Sequence, residues 1–129
     1  MPTFDSFEYY DSASALAPGG SYVAVVPGGV ANTEQLLQVL NVRLKLPEYF
    51  GFNWNALEEC LRDFHWLITR TIVLIHEDVP PLDHGDLMNY INVLDESVRH
   101  WRSRKDHEFV VAFPRSSQTK LEQLAADQD

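Results

Sequence analysis

The sequence predicts an α/β fold, a small three-stranded parallel sheet whose strands are joined by helical crossovers. Two observations carry this. Short runs of strand-forming apolar residues fall at 21–27, 71–75 and 109–113, and near-continuous apolar runs mark strands covered on both faces. Between them, leucines and aromatics recur at helical spacing. The order strand, two helices, strand, helix, strand is the pattern of a parallel sheet with helices packed on it. The length of 129 residues suits one domain with its own core.

Taken in order, residues 1–20 read as an irregular lead. Its Phe4, Phe7, Tyr9 and Tyr10 suggest that part of it packs on the domain, and residues 13–16 suggest one helical turn before Pro18-Gly19-Gly20. The first strand, 21–27, carries Tyr22, Val23, Val25 and Val26. Asn32 or Thr33 caps a helix from Thr33 to Leu44 or Lys45, with Leu36, Leu37, Leu40 and Leu44 on its apolar face. It ends before Pro47, because the residue preceding a proline is pushed out of the helical region. Asn53 or Asn55 caps the second helix, whose apolar face is Ala56, Leu57, Cys60, Leu61 and Phe64. Ile72, Val73, Leu74 and Ile75 form the second strand, and Pro80-Pro81 closes the loop after it. Leu87, Tyr90, Ile91, Leu94, Val98 and Trp101 predict a long amphipathic helix. The third strand, 109–113, stops at Pro114. Residues 21–114 are then a single domain. Residues 115–129 form a tail, either with a short helix near 121–126 or disordered.

Composition narrows the function. Ten Lys and Arg against 19 Asp and Glu give a formal charge of -9. That balance excludes direct nucleic-acid binding, which needs clustered cations against phosphates, and favours a basic protein as partner. The lone Cys60 allows no intramolecular disulfide. No export signal opens the chain and no apolar run is long enough for a bilayer, so the expected setting is the cytoplasm, with no membrane contact. Val26-Pro27-Gly28-Gly29-Val30 follows a strand but lacks a phosphate-loop pattern and reads as a turn. No two histidines fall four apart, so no metal site is expected, and no cofactor. Cys60 reads as a small buried hydrophobe. Glu58 and Glu59 are adjacent on a helix and point apart. No catalytic residue is assigned and the chain is not expected to be an enzyme. The alternative is a small enzyme built on the region of His76, Asp78 and His84.

The densest segment is 46–61, Leu-Pro-Glu-Tyr-Phe-Gly-Phe-Asn-Trp-Asn-Ala-Leu-Glu-Glu-Cys-Leu. Phe50, Leu57, Cys60 and Leu61 are expected inside. Asn55 and Glu59 lie four apart and share a helix face, so with Tyr49 they are expected toward solvent. Gly51 suits a tight turn, and Trp54 is either core or contact. Glu48, Glu58, Glu59 and Asp63 form one acidic group; Glu77, Asp78, Asp83 and Asp86 form another, with no Lys or Arg from 71 to 98. A parallel-sheet layout could gather both on one rim around the aromatics. Charge of one sign steers a basic partner, while buried aromatics supply affinity.

The spacing Pro-Glu-Tyr-aromatic-Gly followed by Asn-x-x-Ala-Leu-x-x-Cys-Leu resembles the signature segment of barstar, the intracellular inhibitor of the ribonuclease barnase. The resemblance spans roughly residues 21–114 and implies a small barstar-like α/β fold. It also implies a stoichiometric protein inhibitor, immunity or antitoxin-like and monomeric before complex formation. Such a protein occludes the basic active site of a ribonuclease or related toxin. It places a nuclease-contacting aromatic at Tyr49 and the loop glycine at Gly51. The two recognition aspartates of the family fall on Asn55 and Glu59, and a further acidic contact falls on Asp83 or Asp86. A family tryptophan is replaced by Glu58. Asn55 lacks the charge and Glu59 carries its carboxylate one methylene further out, which points to a target other than barnase. The other reading of the same scaffold is a non-inhibitory interaction or regulatory module.

Overall fold

A computed structural model describes residues 6–12 and 19–127. All strands pair in parallel, in the order β1-β4-β3-β2: β1 (Glu8–Tyr10), β2 (Tyr22–Val26), β3 (Thr71–His76) and β4 (Glu108–Pro114). The sheet therefore has four strands where three were expected. The additional one, β1, lies in the lead read as irregular and pairs Glu8 with Ala112 and Tyr10 with Pro114. Three residues show no periodicity, and the partner strand is far away in sequence, so nothing local announces the strand. The residues of the expected turn at 13–16 lie outside the described ones.

The helices are α1 (Thr33–Arg43), α2 (Trp54–Leu61), α3 (His84–Arg102) and α4 (Gln118–Ala126), the last entered through a 3₁₀ turn at Arg115–Ser117. The tail up to Asp127 is thus ordered helix, held by Leu121, Leu124 and Ala125 in the core. Each long crossover helix has a side-chain cap. Asn32 accepts from Gln35 N at 2.9 Å, Asn53 from Ala56 N at 2.8 Å and Asp83 from Asp86 N at 2.9 Å. A cap of this kind satisfies an amide that the first turn leaves open.

Central strand β3 lies between β2 and β4, with Val23 opposite Val73 and Val73 opposite Val110. Alternate residues share a face of a strand. Ile72 and Leu74 accordingly join Ala24, Val26, Phe109, Val111 and the helix leucines in one core, while Val73, Ile75 and Ala112 are buried from the other face. His76 continues the Ile72–Leu74 face and is fully buried. At the amino-terminal edge of the sheet, Phe64 gathers Trp66, Trp101, His107 and Phe109 within 5.2–6.1 Å. Phe64 holds φ at 51°, a conformation costly for a bulky residue, and complete burial of its ring offsets that cost.

Candidate functional site

The loop between α1 and α2 is built to present side chains. Helix α1 ends with Lys45 at φ 53°, the left-handed position that usually takes glycine. Phe50 N donates to Pro47 O at 2.9 Å, closing a turn that leaves Tyr49 at its tip. Phe50 is buried, while Tyr49 is 66% exposed. Asn53 organises the exit with both ends of its amide. Its Oδ1 caps α2 and its Nδ2 donates to Gly51 O at 3.2 Å.

Helix α2 divides as its spacing predicts. Leu57, Cys60 and Leu61 are buried, and Asn55 and Glu59 are exposed one turn apart. Its buried side lies along α3. Trp54 packs its ring 5.9 Å from that of Tyr90, and Leu61 O accepts from Trp101 Nε1 at 2.8 Å. Glu58 is half-buried and forms an ion pair with Arg62 at 2.9 Å; Arg62 also reaches Glu96 at 3.5 Å. The Glu96 carboxyl is raised, first by its hydrogen bond with Glu58. Glu58 therefore belongs to the α2–α3 seam.

The exposed side carries acid beside an aromatic. The Tyr49 phenol is pushed above its ordinary value, by loss of hydration first and then by Asp63, Cys60 and Glu59. Asp63 itself accepts from His65 Nδ1 at 2.7 Å. The sequence placed Asp63 in an acidic group but not among the contact residues; it lies two residues past the end of α2, where helical spacing gives no guide.

The tight turn expected at Gly51 is made by its neighbour Phe52. Left-handed backbone falls on Phe52, at φ 52°, not on Gly51. Gly51 is exposed, and a Cβ there would make only ordinary contacts, with Asn53 Nδ2 at 3.4 Å and Ala56 Cβ at 3.6 Å, so neither backbone nor space demands glycine at this position. Phe52 is 48% exposed, with its ring centroid 4.7 Å from that of Phe50. An aromatic in this conformation, half out in water, is a strained feature at the site. Trp54 is half-buried and packed on the core, so only part of its ring remains for a partner.

The second acidic group is tied to other elements. Asp83 caps α3, Asp86 accepts from Thr33 Oγ1 at 2.8 Å, and Glu77 accepts from Gly28 N at 2.9 Å. Asp83 and Asp86 line a depression between the starts of α1 and α3. Among the described residues, no hydrogen bond or ion pair joins them to the loop–α2 segment.

The His76, Asp78 and His84 group does not converge. His76 Nδ1 donates to Ala112 O at 3.1 Å and Nε2 accepts from Tyr90 OH at 2.6 Å, with its ring stacked 4.1 Å from Phe113. Burial pushes it down to about 4. Both nitrogens are committed and solvent is excluded, which leaves no base for a substrate. Asp78 accepts from Val79 N, and His84 is exposed at the start of α3. Among the described residues, no group of three His, Cys, Asp or Glu is placed to hold a metal ion, and no helix is long and apolar enough to cross a membrane.

No curated protein matches the chain. The family described as Barstar (barnase inhibitor) matches residues 22–113, from the first residue of β2 into the end of β4, and so includes the whole loop–α2 element. A match over that much of the chain, on a small parallel α/β fold, places it: the protein belongs to the barstar family.

Proposed function

We propose that the protein is a stoichiometric inhibitor that occludes the basic active site of a ribonuclease or related toxin domain. One observation carries the reading. Tyr49, Asn55 and Glu59 stand exposed on a single loop–helix element whose opposite side is locked into the core. Such an element meets a partner with little reordering, which keeps the entropic cost of binding low. Acid at Glu59 and Asp63 would face cations that normally receive RNA phosphates, and Tyr49 and Phe52 would supply apolar contact. Asp83 and Asp86 would contribute only with a target wide enough to reach the α1–α3 depression. The charge of -9 favours encounter with a basic partner in the cytoplasm, the protein itself being monomeric until it binds.

Calorimetric titration against the basic nucleases encoded beside the gene tests this, paired with an RNA-cleavage assay. One-to-one binding with loss of cleavage is the expected result. Binding by none of these nucleases or toxin domains would sink the proposal. Binding that leaves cleavage intact would instead favour a non-inhibitory interaction module.

A further inference from the structure

The molecule carries an excess of carboxylates, yet one groove gathers guanidinium groups that form no ion pair among the described residues. It lies at the amino-terminal edge of the sheet, where β3 and β4 begin and α3 ends. Its volume is about 290 Å³, and Arg70, Arg102 and Arg104 line it, with His107 beside them. Lys105 follows Arg104 in the chain. None of these residues belongs to the loop–α2 element. The groove does adjoin the last turn of α2, because Trp101, which also lines it, donates to Leu61 O at 2.8 Å.

Of the four arginines elsewhere, all but Arg43 find acids among the described residues. Arg62 pairs with Glu58, Arg99 with Asp95 at 3.0 Å and Arg115 with Asp11 at 2.9 Å. In the groove, Arg70 Nε donates to Lys105 O and Arg104 Nη1 to His100 O, each at 3.2 Å. Arg102 makes no hydrogen bond or ion pair among the described residues. Glu8 and Glu108 line the same groove, but among the described residues neither is ion-paired to these guanidiniums; Glu108 Oε1 instead accepts from Thr71 Oγ1 at 3.3 Å. Each guanidinium has five N–H donors. One bond to a backbone carbonyl therefore places Arg70 and Arg104 while leaving most of their donors unused.

We propose that this groove is a binding site for a compact phosphate dianion, either free phosphate or the phosphate group of a small monoester. Guanidinium groups suit phosphate because their planar fork matches two of its oxygens. Holding two of the three by carbonyl bonds reduces the ordering cost of binding. The carboxylates of Glu8 and Glu108 line the same groove and repel any anion, but an extended polyanion such as RNA would bring several phosphates against them where a compact dianion brings one. A volume of about 290 Å³ has the same bound. This site is independent of the inhibitor reading and stands whether or not a nuclease binds α2.

Titration of the full chain with inorganic phosphate, followed by amide NMR shifts at constant ionic strength, tests it. Shifts are expected at Arg70, Arg102, Arg104 and His107, saturating with phosphate and absent with chloride. R102E and, separately, R104E are expected to weaken binding roughly ten- to hundredfold, the range of charge-assisted hydrogen bonds. The Arg102 side chain is exposed and makes no hydrogen bond or ion pair among the described residues, and an unchanged urea midpoint for R102E shows that loss of binding there does not come from misfolding. Adenosine monophosphate separates the sources. Equal affinity identifies the phosphate alone as ligand, and tighter binding identifies a monoester. An identical response to chloride, an unchanged affinity in R102E, or tighter binding of an RNA oligonucleotide than of phosphate would each overturn the proposal.

Discussion

His76→Gln should flatten the acid limb of the stability curve. His76 lies at the end of β3 with no exposed surface, one nitrogen on Ala112 O and the other on Tyr90 OH. Burial pushes the imidazole down to about 4 from an ordinary 6.5; the bond to Ala112 opposes this only in part. The unfolded chain therefore takes the proton first as pH falls. Stability from this group is fully present above the unfolded value, declines through it, and levels off below the folded value. A gap of about 2.5 pH units at about 1.4 kcal/mol each sets the full loss at about 3 kcal/mol. Roughly 2 kcal/mol of that falls between about pH 7 and about pH 5. Urea denaturation at those two pH values, with wild type and H76Q compared at equal slope, measures it. His100 is also lowered, by partial burial and then by Arg104 and Arg62, and adds a small change of the same sign that both proteins share. H76Q is expected to be less stable at neutral pH but to lose much less on acidification. If wild type and variant lose the same amount, His76 does not titrate as its burial requires.

Three further outcomes follow from the loop–α2 element. Glu59→Ala should weaken a nuclease complex by roughly 2–5 kcal/mol while changing unfolding free energy by less than about 0.5 kcal/mol, because the side chain is exposed; calorimetry beside denaturation separates the two. Asn53→Ala removes the cap on Ala56 N and the bond to Gly51 O, and should cost about 1–2 kcal/mol in urea unfolding. Cys60 is buried and its thiol is raised by burial, then by Asp63 and Glu59, so a thiol reagent should label it only as fast as the protein opens. Labelling at the rate of a free thiol under native conditions would contradict that packing.

Much of the architecture was legible because burial imposes periodicity. Ile72 to Ile75 reads as a strand covered on both faces, and Leu36, Leu37 and Leu40 read as a helix stripe. The helix bounds differ from expectation by a few residues, as with α3, which begins at His84 under the Asp83 cap. His76 could have been placed from the same signal, since it continues the period-two face of Ile72 and Leu74. Its chemistry instead suggested an active-site role. Strand β1 carried no such signal, because three residues against β4 are specified by the partner and not by their own pattern.

At the site, the sequence by itself determined that Phe50, Leu57, Cys60 and Leu61 turn inward and Tyr49, Asn55 and Glu59 outward, because helical spacing puts Asn55 and Glu59 on the face opposite Leu57 and Leu61. Only the tertiary structure decided the rest. It turned Glu58 into the α3 seam through Arg62, gave the left-handed turn to Phe52 in place of Gly51, and tied Asp83 and Asp86 to helix starts. It also drew Arg70 and the Arg102–Lys105 stretch, which lie far apart in sequence, into one region at the edge of the sheet. Those outcomes depend on which elements pack together, and a local pattern of apolar and polar residues records a side chain's face but not the neighbour that meets it.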